Sequence, residues 1–168
     1  IHWKVMSSDP IISDGAFDSQ NLAFWDATNN QYRAYWRYFT ESDDETLYKG
    51  KRAIRTGTSS DFIHWDEHEN IRFLDSPEEQ LYTNQIKPYH RAPHILLGFP
   101  ARYIDRGWYP SMRALPELEL REKRAEINQR YGTAITESLI MASKDGTTFK
   151  RWNEAFIRPG MERQGSWN

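Results

Sequence analysis

A motif of Ser, one residue, Asp, three residues and a large aromatic occurs twice in this chain. The first copy is Ser59-Ser60-Asp61 followed by Trp65; the second is Ser143-Lys144-Asp145 followed by Phe149. Ile1-His2-Trp3 repeats the letters of Ile63-His64-Trp65, as the tail of an earlier copy would. The stretch downstream of each aromatic also recurs. An Asn lies 18 residues after Trp3, 19 after Trp65 and 19 after Phe149, namely Asn21, Asn84 and Asn168. Between aromatic and Asn lies a short apolar run: Pro10-Ile11-Ile12, Ile71-Arg72-Phe73-Leu74, then Ala155-Phe156-Ile157-Arg158. Self-similarity at a fixed period constrains architecture before any local propensity does.

Trp3 and Trp65 are 62 residues apart, while Trp65 and Phe149 are 84 apart, so the second interval carries an insertion. A unit of about 60 residues holding four short strands is a propeller blade. The Ser-x-Asp turn suits the link between a blade's outer strands. Both side chains can accept bonds from backbone N–H groups two or three residues on and so close the turn. The aromatic is expected to pack between neighbouring blades. Asp61 and Asp145 therefore read as structural, with a sugar-binding or metal carboxylate as the alternative.

The pattern divides the chain. Residues 1–15 end a preceding blade, 16–75 form one blade, 76–160 form a second, and 161–168 begin another. The second blade carries a helical insertion at about 105–131, where Pro116 can start a helix. Glu117/Arg121, Glu119/Lys123 and Glu126/Arg130 are i,i+4 pairs of stabilising orientation there. The expectation is an all-β fold: about two blades plus flanking strands, with one helical insertion. Closure of a propeller takes about 4–8 blades, so the chain is expected to be a fragment of one such domain.

Composition narrows the function classes. Twenty-two basic and 24 acidic residues are well mixed and leave a net charge of −2. This gives no support for nucleic acid or a membrane surface as partner. No apolar run approaches the ~20 residues of a membrane span. Without Cys there is no disulfide and no thiolate metal site. Seven Trp in a chain that is 14% aromatic fit a β-rich protein that handles carbohydrate, and equally fit side chains that fill the wedge between blades. His64/His68 and His90/His94 are spaced by four but lie in turns and strands, outside the helical context of a zinc site. No metal is expected.

Five segments together carry a resemblance: Phe17-Asp18-Ser19-Gln20-Asn21, Leu81-Tyr82-Thr83-Asn84, Arg91-Ala92-Pro93-His94, Gly98-Phe99-Pro100 and Ser143-Lys144-Asp145-Gly146. They resemble bacterial proteins labelled as glycosyl hydrolases of the invertase N-terminal-domain type. Those are similar in turn to the arabinanase/levansucrase/invertase superfamily of five-bladed β-propellers. The resemblance covers nearly the whole chain outside the insertion. It implies five blades, a carbohydrate substrate, no cofactor, and a secreted or periplasmic location. It also implies hydrolysis or transfer of glycosyl groups by carboxylates at the inner ends of blade strands.

Two carboxylates fit that expectation. Asp18 stands just before the first, innermost strand of a blade, beside Ser19, Gln20 and Asn21. Its functional reading is nucleophile or base; the alternative is a turn-closing Asp. Glu79 holds a similar place before the next inner strand and is the candidate acid; the alternative is a solvated charge beside Glu78. Glycoside chemistry needs such a pair, one group protonating the leaving oxygen and the other attacking or activating water. Asn21, Asn84, Arg91 and His94 are the implied substrate contacts, although Arg91 and His94 could instead hold their turn. Two departures stand out. Ala92 occupies the place of the Asp in the invertase Arg-Asp-Pro pattern, and Arg91 that of the acidic residue before Gly-Pro-His in arabinanase relatives. Either departure removes a carboxylate. A non-catalytic carbohydrate-binding propeller and an interaction scaffold are therefore the competing readings, and fold alone does not choose among them.

Overall fold

The computed structural model describes residues 2–43, 46, 48–66 and 68–160. Its first sheet grows from a side-chain-closed turn. Asp26 is buried, and its Oδ1 accepts the N–H groups of Thr28 and Asn29 at 3.1 and 3.3 Å. This reverses the chain between β1 (Leu22–Asp26) and β2 (Gln31–Phe39). The aromatic, β-favouring run of β2 pairs with β3 (Arg52–Ser59) over its length, from Tyr32 opposite Ser59 to Phe39 opposite Arg52. β4 (Glu69–Asn70) completes an antiparallel sheet of order β1-β2-β3-β4.

The second sheet is larger. It contains β5 (Arg72–Leu74), β6 (Gln80–Leu81), β7 (Lys87–Tyr89), β8 (Ala92–Gly98), β9 (Ala101–Ile104), β10 (Ile135–Ser143) and β11 (Thr148–Ile157). The order is β5-β11-β10-β8-β7, with β9 beside β10 and β6 beside β9. Only β5 and β11 run parallel among the described pairs. Two short helices, α1 (Pro110–Arg113) and α2 (Leu118–Ala125), and a 3-10 turn at Gln129–Gly132 lie in the insertion. The chain is thus mostly β with few helices, in keeping with an all-β, propeller-like fold.

The core lies between the sheets. Tyr35 and Ile54 from the first sheet and Ile71 just past its end meet Leu81, Ile86, Leu96, Leu139, Met141 and Phe149 from the second. Burying one such side chain stabilises by about 1.5–3 kcal/mol. The Tyr35 and Phe149 rings meet edge to face at 6.2 Å.

The two Ser-x-Asp turns close as their side chains predict. Ser59 Oγ accepts from Asp61 and Phe62 N–H, and Asp61 Oδ1 accepts from Ile63 and His64 N–H. Ser143 Oγ accepts from Gly146 N–H, and Asp145 Oδ1 from Thr147 and Thr148 N–H. The aromatics then diverge. Phe149 enters the core, whereas Trp65 stays local, its indole N–H bonded to Phe62 O at 3.1 Å. The reason lies in the chain beyond each turn: β11 begins at Thr148, but among the described residues after Asp61 the next strand begins only at Glu69.

Several local expectations change. Residues 2–21 form no strand, so Pro10-Ile11-Ile12 is not one. The run Ile71–Leu74 does not complete the first sheet. Ile71 N–H still bonds Ile54 O, but the next N–H, that of Arg72, bonds Thr147 O. Buried Ile71 is the pivot at which the chain changes sheets. Pro110, not Pro116, starts a helix, and Glu117 at the head of α2 has a left-handed φ of 57°. Arg121 turns inward, fully buried, and donates to the carbonyls of Leu115, Pro116 and Gly132. Residues 161–168, read as the start of another blade, and Asn168 with them, lie outside the described residues.

Candidate functional site

The strands separate the six candidate residues into two groups. Asp18 and Asn21 precede β1, and Glu79 and Asn84 precede β7, so these four lie at the strand-entry end. Arg91 and His94 lie beyond β7, at the hairpin end, and both are exposed. His94 lines a shallow hollow there with Asp26, Asn29, Lys144 and Asp145. Arg91 and His94 are therefore not brought to the carboxylates, and neither is Ala92.

At the entry end, two segments are laced together. Ser19 Oγ donates to Tyr82 O, Asn84 Nδ2 to Gln20 O, and Gln85 N–H to Gln20 Oε1. The amides of both Asn candidates are used within the backbone. Asn21 Nδ2 donates to Phe17 O and Ser19 O, while buried Asn84 also accepts from Ile86 N–H. Asp18 has a different character. Its side chain is 55% exposed, yet it is paired with Arg37, whose side chain is 3% exposed. A buried guanidinium thus fixes one oxygen of a carboxylate that otherwise faces out.

Glu79 is placed otherwise. Both of its oxygens accept from Arg102 Nη1 at 3.0 Å, and Oε2 also accepts from Arg151 Nη2 at 2.8 Å. Arg102 is bound to Glu137 as well, and Arg151 is fully buried. Burial acts to lower the Arg102 pKa, but Glu137 and Glu79 outweigh it and hold the group above its usual value. Four charged side chains form one network, and Arg151 also donates to Pro77 O and Asn153 Oδ1.

A cavity of about 480 Å³ is walled by Arg52, Tyr82, Tyr103, Arg124, Arg130 and Tyr131 together with small and aliphatic residues. The insertion supplies Arg124, Arg130 and Tyr131, so it forms part of the wall. Tyr82 joins the cavity to Asp18, because Arg37 lies over its ring at 5.0 Å. Arg52 lies over Tyr103 at 4.5 Å and Tyr82 at 5.6 Å, and donates to Gln80 Oε1 at 2.7 Å. Burial, then Arg130 and Arg37, lower its pKa. Sequence reasoning passed over these cavity residues. The available signal was phase: Arg52 shares the period-2 face of buried Ile54 and Thr56, where an apolar residue is the rule.

Among the described residues, no three His, Asp or Glu side chains converge so as to hold a metal ion, and no helix is long and apolar enough to cross a membrane.

These features define a mostly β protein with a tyrosine- and arginine-walled cavity and an arginine-held, largely exposed carboxylate. No family model matches the sequence, and no curated protein matches it. Among solved structures, the chain is similar to an N-acetylgalactosamine deacetylase from F. plautii, crystallised in complex with blood group B trisaccharide. The TM-score is 0.52 at 12% identity, and the match covers 88% of this chain. This chain spans 33% of the deacetylase. At that identity the likeness concerns the fold.

Proposed function

We propose that this chain is part of a five-bladed, carbohydrate-active β-propeller that hydrolyses glycosidic bonds, with Asp18 as nucleophile or base. One observation carries the reading: Asp18 is largely exposed and clamped by buried Arg37, and Arg37 in turn lies over Tyr82, one of three tyrosines that wall the cavity. Tyrosine faces pack against the C–H surface of sugar rings, while phenol and guanidinium groups bond their hydroxyls. Arg37 would hold the orientation of Asp18. The structural neighbour, a carbohydrate deacetylase in complex with a trisaccharide, supports a carbohydrate ligand for a fold of this kind.

A specific observation favours a second reading, sugar binding without hydrolysis. Both oxygens of Glu79 are occupied by guanidinium donors, which suits a structural anion and not a proton donor. In the hydrolytic reading the acid is therefore another group than Glu79.

The test is release of reducing sugar by the full chain from a panel of arabinosides, fructosides, xylosides and galactosides, alongside Asp18→Asn. Activity that falls about 10³-fold or more in a folded variant supports the nucleophile or base role, a loss of about 4 kcal/mol in transition-state stabilisation. Activity that survives the substitution removes Asp18 from the mechanism. Sugar binding without turnover of any substrate selects the second reading.

A further inference from the structure

The same cavity has a charge character that a neutral sugar does not explain. Arg52 is 9% exposed, and among the described residues it pairs with no carboxylate; its polar partner is the neutral amide of Gln80. Arg130, half-buried, faces Tyr103 and Tyr131 at 5.9 and 5.6 Å and likewise pairs with no described carboxylate. Arg52 Nε, Arg130 Nε and Tyr103 Oη are buried without a hydrogen-bond partner. All three residues line the cavity, and none of its described lining residues is acidic. Other buried arginines, Arg37 and Arg151 among them, also leave a side-chain nitrogen unbonded, but each has a charged or carbonyl partner: Arg37 has Asp18, Arg151 has Glu79, and Arg121 has three carbonyls. A buried donor left unbonded costs about 1–3 kcal/mol, and more when charged. Two cations converging on one space raise that cost further, as the effect of Arg130 on Arg52 shows.

We propose that the Arg52–Arg130 cavity binds the anionic group of an acidic saccharide, a uronate carboxylate or a sugar sulfate, with Tyr103 Oη as a third donor. Guanidinium forks match the planar pair of carboxylate oxygens or two oxygens of a sulfate, and the tyrosine rings take the sugar body. This rests on the carbohydrate reading above and narrows its substrate class. The insertion acquires a role as well, since it delivers Arg130, with Arg124 and Tyr131, to the cavity wall.

The experiment is calorimetric titration of the full chain with methyl glucuronide, methyl galacturonide and galactose 6-sulfate, beside the neutral methyl glucoside, methyl galactoside and galactose. Sodium sulfate serves as the free-anion control. An acidic sugar should bind at least about tenfold tighter than its neutral parent, the worth of one charge-assisted hydrogen bond, and the advantage should shrink as salt is raised. Arg130→Gln and Tyr103→Phe, both milder than a change at Arg52, should each reduce the ratio of acidic- to neutral-sugar affinity while leaving the melting temperature in place. Uronide against sulfate ester then identifies the anion. Equal binding of acidic and neutral sugars overturns the inference and leaves the carbohydrate reading standing. A preference that persists in both variants overturns it too, because the anion then sits elsewhere. Sulfate binding without binding of any sugar, neutral or acidic, overturns both.

Discussion

The phenol of Tyr35 donates to the backbone carbonyl of Gly146 at 2.7 Å, joining the first sheet to the turn that closes the second. Tyr35 is fully buried, and burial pushes its hydroxyl well above the usual tyrosine range, so it is a permanent donor. Arg33 adds bonds to the carbonyls of Asp145 and Gly146 at 3.3 and 3.5 Å. The second Ser-x-Asp turn is therefore a docking element as well as a reversal. Removing the phenol in Tyr35→Phe leaves a buried carbonyl short of a donor. Chemical denaturation should show a loss of about 1–2 kcal/mol.

Gly146 itself is constrained on two counts. Its φ is +81°, and a Cβ built there lies 2.6 Å from Arg33 Cζ. Gly146→Ala should cost about 1–3 kcal/mol, combining left-handed backbone strain with displacement of Arg33. A urea titration that places the variant within error of wild type would contradict this.

The turns also predict an acid response. Burial acts to raise the Asp145 pKa, but N–H bonds from Thr148 and Thr147 and the Ser143 hydroxyl outweigh it and hold the group at about 2. The His64 ring, then N–H bonds from His64 and Ile63, hold Asp61 lower still. A folded pKa below the unfolded one contributes stability that is present above the unfolded value and lost as pH falls through the folded one. Melting temperature should therefore drop between about pH 4 and pH 2. The double variant Asp61→Asn/Asp145→Asn should show a shallower slope across that window.

Glu79 is expected to act through stability. Glu79→Gln leaves Arg151, whose side chain is fully buried, facing a neutral amide, and loosens Arg102. The loss should be about 3 kcal/mol, within the range for breaking one member of a buried ion network. Turnover per folded molecule should stay near wild type. A variant of full stability with abolished turnover would instead return Glu79 to the role of acid.

Arg121 holds the insertion together through Leu115, Pro116 and Gly132 carbonyls, and its Cζ lies 5.6 Å from the centre of the Trp108 ring. Arg121→Met leaves those carbonyls unsatisfied, a loss of about 1–3 kcal/mol confined to this region. Limited proteolysis should cut the variant between residues 108 and 132 while the two sheets stay resistant. Because Arg130 comes from the same insertion, affinity for the cavity's ligand should fall in parallel.

Some of this was legible in the residues alone. The Ser-x-Asp turns close through bonds spanning two or three residues, so the sequence by itself determined that Asp61 and Asp145 are structural; no distant partner is needed to form them. The place of Asp18 just ahead of a strand was legible in the same way, and β1 follows it. Tertiary structure decided the rest. Ile71 sends β5 to the second sheet because its own N–H and that of Arg72 find carbonyls on different sheets, Ile54 and Thr147, which local propensity does not encode. The same holds for the cavity. Arg52 comes from β3, Tyr82 and Tyr103 from the second sheet, and Arg130 from the insertion. Their convergence depends on how two sheets pack over a shared core, and side-chain type at a single position carries no trace of a neighbour that only packing supplies.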